Sequence, residues 1–205
     1  MVRPITLTPD SNARFRTWVV RKARDVMKRI AGIFAIAAFG LSAPAMAQPA
    51  VGGGSPATLL GVFNNWSAFS SGSGSSLTCY ALSRPRASQP RTAKRGPIYL
   101  MVSDWPARKV KAEPQIVYGY QGRENGAAAL GVGGEKFTFF IRNNGTEGSS
   151  WLQSLTETAR LIDAMRGGVS AVATGISQRG TKTTDTYSLS GFNDALSKIH
   201  ATCQM

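Results

Sequence analysis

From Leu59 onward the chain is cut into short apolar runs by glycine, proline and asparagine. Residues 136–142 (Lys-Phe-Thr-Phe-Phe-Ile-Arg) form the clearest strand, and Asn143-Asn144-Gly145 after it is a strong turn signal. Residues 97–103 are a nearly continuous apolar run, as expected of a buried strand, broken at Asp104-Trp105-Pro106. Residues 59–69, 77–83, 116–120, 169–174 and 183–189 read as further strands, 127–132 as a weak one, and 150–155 as a strand at a sheet edge. Residues 70–76 and 84–96 read as loops, and Gln178-Arg179-Gly180 as a turn. Helical spacing is confined to two places. Residues 156–166 put Ala159, Ile162 and Met165 on one side, with Gly167-Gly168 as a C-cap pair. Residues 191–202 carry Phe192, Leu196 and Ile199 behind Ser190 as N-cap. About eight or nine short strands with two small helices predict a mostly β fold. The expected form is a β-sandwich or open barrel-like set of antiparallel sheets, with one short internal helix and a C-terminal helix. Twenty-two glycines and ten prolines favour this over a helical bundle.

The N-terminal region carries a different pattern. Lys28-Arg29 precede an uncharged run over residues 30–43; Pro44 ends it, and Ala45-Met46-Ala47 supplies an A-x-A site before Gln48. This reads as a signal peptide, cleaved after Ala47, because the run falls short of the roughly 20 residues a membrane span needs. An uncleaved anchor is the competing reading, and membrane contact is expected only through this segment before cleavage. Residues 1–26 are long for an n-region; Met27-Lys28-Arg29 offers a natural start, and a genuine long n-region is the alternative. Residues 48–57 read as a flexible linker and 58–205 as a single domain. Of 24 Lys and Arg, eight precede Gln48, so the formal +13 of the chain falls to +7 beyond it, 16 basic against nine acidic residues. Much of the basic character is thus export signal, and nucleic acid is not an expected partner.

Cys79 and Cys203, the only cysteines, lie beyond the cleavage site, and an even count in an oxidising compartment predicts one disulfide. Two cysteines and one histidine, His200, cannot supply a structural zinc site, and no metal or cofactor is expected. Gly175-Ile176-Ser177-Gln178-Arg179-Gly180 misses the G-x-S-x-G pattern by one residue. Gly131-Val132-Gly133-Gly134 leads into a strand, not into the helix that a phosphate loop requires. His200 reads as a solvated or capping side chain on the terminal helix. The acid pairs Glu113 with Glu124 and Asp163 with Asp185 cannot be assembled from spacing, so no catalytic residue is assigned.

One segment points toward a class of ligand. Arg84, Arg86, Arg91, Lys94, Arg95, Arg108, Lys109 and Lys111 are half of the Lys and Arg beyond Gln48, opposed nearby only by Asp104 and Glu113. Tyr80, Tyr99 and Trp105 are interleaved with them. Together they read as a patch for an anionic partner such as lipopolysaccharide, an acidic glycan or a phospholipid headgroup, against the plainer reading of a solvated inter-strand loop.

A family resemblance lies mainly in the C-terminal half. It is carried by Ala164-Met165-Arg166-Gly167-Gly168, by Gly175 to Thr181, by Thr184-Asp185-Thr186-Tyr187-Ser188-Leu189, by Gly191-Phe192-Asn193-Asp194-Ala195-Leu196 and by Cys203. With Phe63-Asn64-Asn65-Trp66 and the strand around Cys79, these resemble the invasion-associated locus B proteins, exported proteins of alphaproteobacteria. The chain lacks the additional cysteine pair that some members carry near the first tryptophan, so no cross-link is carried over there. The resemblance implies a periplasmic, secreted or cell-surface protein, linked in pathogenic members to host-cell invasion, and it brings no catalytic residues. The expectation is a non-enzymatic envelope or surface protein that binds an anionic envelope component or a host-cell surface. A periplasmic enzyme or enzyme inhibitor is the alternative.

Overall fold

The computed structural model describes residues 56–145 and 147–205. The segment read as a signal peptide, its expected cleavage site, residues 1–26 and most of the expected linker therefore lie outside the described residues. Eleven strands and two α-helices follow one another: β1 (Ala57–Phe63), β2 (Trp66–Ser71), β3 (Thr78–Ser83), β4 (Ala87–Gln89), β5 (Tyr99–Trp105), β6 (Val110–Val117), β7 (Ala128–Val132), β8 (Glu135–Asn144), β9 (Glu147–Trp151), α1 (Leu155–Gly167), β10 (Ser170–Ile176), β11 (Lys182–Ser188) and α2 (Phe192–Cys203).

All pairings are antiparallel, in the order β1-β2-β3-β5-β6-β9-β8-β7-β10-β11-β4, and the sheet does not close into a barrel. The long strand β8 joins two halves: residues 135–139 pair with β7 and residues 140–144 with β9. The inner faces of the two halves share one core with α2, and that core includes Trp66, Leu100, Ile116, Phe137, Tyr187 and Leu196. Trp66 spans it, packing at a tilt against Phe192 at 4.9 Å between ring centroids and donating its indole N–H to the Ser188 carbonyl at 3.0 Å. The β7–β8 hairpin turns on Gly133-Gly134, both at positive φ as a tight two-residue turn of this hand demands. The glycine-rich stretch is thus a turn.

Several elements differ from the sequence reading. Ala57, placed in the linker by composition, is buried and pairs with Ser71 in β1. Residues 59–69 hold two strands, divided by a hairpin turn at Asn64-Asn65, with Asn64 left-handed. β4 arises inside the expected 84–96 loop and adds to β11 as an edge strand. β6 begins at Val110 and ends at Val117, so residues 118–120 are not strand; Pro114 is tolerated because β9 pairs only residues 115–117. β9 is interior, between β6 and β8, and not at an edge. On α1, Ser154 caps the N-terminus, Leu161, Ile162 and Met165 are buried, and Ala159 is exposed. Gly168 ends α1 in an extended conformation; its value is space, since a Cβ there would meet Leu189 and Val132 at 2.9 Å. The α2 N-cap is Gly191 at φ 89°, one residue beyond Ser190.

Candidate functional site

Among the described residues, the most heavily bonded charged group is Arg95. Its Nη1 and Nη2 donate to the two Asp185 carboxylate oxygens at 2.7 and 2.6 Å, and its Nε donates to the Tyr118 carbonyl at 2.9 Å. The side chains are 5% and 1% exposed, so this is a buried, bidentate ion pair. Asp185 occupies the inward phase of β11 between Thr183 and Tyr187, all three buried. Arg95 also lies 5.0 Å above the Tyr120 ring, which stacks on Tyr118 at 5.5 Å and shares a 2.6 Å hydrogen bond with Thr183. Gly175 makes room for the two rings: a Cβ there would stand 2.8 Å from each. The loop before β5 is thereby fastened to β11 and to the bend after β6.

Over this floor opens a cavity of about 760 Å³, a common size for a ligand site. Lys94, Arg95, Tyr120, Gln178, Arg179 and Thr181 contribute to its wall. Arg95 is neutralised by Asp185, whereas Lys94 and Arg179 are exposed and have no ion pair among the described residues. The site therefore offers two free cations beside tyrosine, threonine and glutamine side chains that hydrogen bond. That arrangement suits a carboxylate, phosphate or sulfate group.

The remaining basic residues do not converge on this cavity. Arg84 is exposed with its guanidinium 5.6 Å from the Tyr99 ring, and Arg86 and Arg91 are exposed near β4. Arg108 lies 4.3 Å over Trp105 and 3.7 Å from the Glu113 carboxylate, with Lys109 and Lys111 beside it at the β5–β6 turn. The cavity wall takes none of these three. The eight-residue patch thus resolves into a stacked group at the β5–β6 turn, scattered cations near β4, and Lys94 at the cavity. Arg95 is 5% exposed and paired to Asp185, so it is not a solvated loop residue, although it contributes to the cavity wall. Arg179, Tyr120 and Asp185 enter the site from outside the patch.

His200 also departs from expectation. Its Nδ1 meets the Asp104 Oδ2 at 2.7 Å, while Asp104 is fully buried and accepts the Ala112 N–H at 2.8 Å. Ala112 is left-handed (φ 55°), which turns that N–H out of the ladder toward the carboxylate. His200 is thus a clamp between α2 and β5, not a solvated or capping side chain. It stands three residues before Cys203, which is bonded to Cys79 of β3. Among the described residues, no group of three or more His, Cys, Asp or Glu side chains is placed to hold a metal ion.

Burial keeps the phenols around the Arg95–Asp185 pair neutral. It is the largest cause of the upward pKa shifts of Tyr118, Tyr120 and Tyr187; the neighbouring Asp185 charge adds to it, and Arg95 works against it. An unfolded phenol ionises near pH 10, so the unfolded chain loses these protons first. Their contribution to stability is complete below about pH 10 and declines above it, by about 1.4 kcal/mol per pH unit for each fully buried tyrosine. Phenolate absorbance recorded during an alkaline titration should show Tyr118 and Tyr187 ionising only together with unfolding. Ordinary titration of all five tyrosines in the folded protein would contradict this.

No protein-family profile and no curated protein matches the sequence. In fold, the chain is similar to invasion associated protein B from Bartonella henselae, known from a crystal structure. The likeness covers 71% of this chain and 98% of that one, with a TM-score of 0.51 at 14% identity. At that identity it bears on the fold.

Proposed function

We propose that the chain is an exported, non-enzymatic protein of the cell envelope or surface that binds an anionic partner and is related to the invasion-associated locus B proteins. The observation that carries the reading is the Lys94–Arg179 cavity, two free cations over a floor whose own charges cancel. The fold likeness to invasion associated protein B supports the family relation, as do the sequence features around Met165 to Cys203. The Lys28-to-Ala47 segment supports export. The histidine of the chain, His200, is bonded to the buried Asp104 as part of the fold.

Binding to lipopolysaccharide and to acidic phospholipid vesicles should fall steeply as salt rises, because exposed charges are screened within about 8 Å at physiological ionic strength. The variant Lys94→Ala/Arg179→Ala should bind about 30-fold more weakly, at about 1 kcal/mol for each cation removed near an anionic surface. Arg95 is left untouched because its loss would disturb the fold. Equal binding by both proteins at every salt concentration would return Lys94 and Arg179 to ordinary solvated side chains.

A further inference from the structure

We propose that the groove where β8 changes partner is a saccharide-binding site, separate from the Lys94–Arg179 cavity. β7 begins at Ala128, so the second half of β8 runs beyond it with residues 124–126 alongside, and a cavity of about 670 Å³ opens there. Strand alternation sends Phe137 and Phe139 into the core and turns Phe140 outward. Phe140 is half-buried and paired across the strands with the half-buried Trp151, at 6.1 Å between ring centroids. Neither ring belongs to a core cluster; Phe140 lines the cavity, and Trp151 packs against it from the neighbouring strand.

The groove wall supplies the polar half of such a site. Glu124, Asn125 and Gln153 are exposed, line the cavity with Arg142, and make no side-chain hydrogen bonds among the described residues. Arg142 stands 5.5 Å over the Phe140 ring, which holds its guanidinium at the rim. The loop opposite is already fixed: the Asn143 amide both donates to the Gly122 carbonyl and accepts its N–H, and the Arg123 N–H donates to the Ile176 carbonyl at 2.8 Å. Little ordering therefore remains to oppose binding.

A carboxylate, two carboxamides and a guanidinium beside the Phe140 ring match the chemistry of a pyranose. Its vicinal hydroxyls both donate and accept, and its C–H face carries the partial positive charge that an aromatic face attracts. Glu124 and Arg142 cancel in charge, so the site selects for hydroxyls and not for anions. A peptide strand adding to the free edge of β8 would meet the residue 122–126 loop, which Asn143 holds across the approach.

The test is an NMR titration of the exported protein with maltotetraose and with chitotetraose, read at the Trp151 indole N–H. A saturable shift with at least one of them is expected, weakened about tenfold by Phe140→Ala, the loss of a contact of about 1.4 kcal/mol. Gln153→Ala, at an exposed position, should weaken binding in the same direction if Phe140→Ala proves unstable. Lys94→Ala/Arg179→Ala should leave saccharide binding unchanged. No saturable shift with either sugar, or equal binding by the wild type and both groove variants, would overturn the proposal.

Discussion

Replacing Arg95 by alanine should lower the stability of the domain by about 3–5 kcal/mol, the usual cost of leaving one member of a buried ion pair uncompensated. The cause is specific. Asp185 is 1% exposed and would be left in the interior without the two Arg95 N–H groups that are its hydrogen-bond partners among the described residues. Asp185→Asn should also be costly, because the guanidinium loses a bidentate acceptor and keeps only the Tyr118 carbonyl. The double variant Arg95→Met/Asp185→Leu should recover much of the loss, since removing both charges removes the desolvation cost as well. Urea unfolding of the wild type, Arg95→Met, Asp185→Leu and the double variant forms a double-mutant cycle. Additive effects of the two single changes would mean the pair is uncoupled, which the bidentate geometry does not allow.

Removing the Cys79–Cys203 bond should have a comparable effect. The bond spans 124 residues, and in the chain-entropy model a loop of that length stabilises by about 5 kcal/mol. Cys203→Ser should shift the urea midpoint down strongly, and prolonged reduction of the wild type should reproduce the shift. The bond is deeply buried, so reduction is expected to follow opening of α2. Identical midpoints with and without reductant would show that the Asp104–His200 clamp and the packing of Leu196 and Ile199 hold the helix without it.

The strands most legible from residue order were those with a buried face. β8 alternates around Phe137 and Phe139, β5 is almost uniformly apolar, and α2 carries its core residues at helical spacing. β4 was invisible because Ala-Ser-Gln has no pattern and gains its place through backbone pairing to β11 alone. β6 was masked by Pro114 and by exposed polar residues opposite its buried ones. For the site, the basic run was legible as charge, but spacing could not separate Arg95 from Lys94, because burial is decided by an acid 90 residues away. A signal for that acid was present: Asp185 shares the inward phase of β11 with Thr183 and Tyr187, and an acid on that phase needs a cation. The cavity itself is built from three separate stretches around Lys94, Tyr120 and Arg179, so no local motif announces it. His200 was misjudged for the same reason, since Asp104 reaches it across 96 residues.

The position of α2 in the chain governs when the domain can close. During synthesis Cys79 emerges 124 residues ahead of its partner, and the inner face of β1, β2 and β3 waits for Phe192, Leu196 and Ile199 before it is covered. Until then, Trp66 lacks both the Phe192 ring and the Ser188 carbonyl. The cover over β1, β2 and β3 is thus supplied by the last helix of the chain, so the core is complete only when both ends of the domain are present.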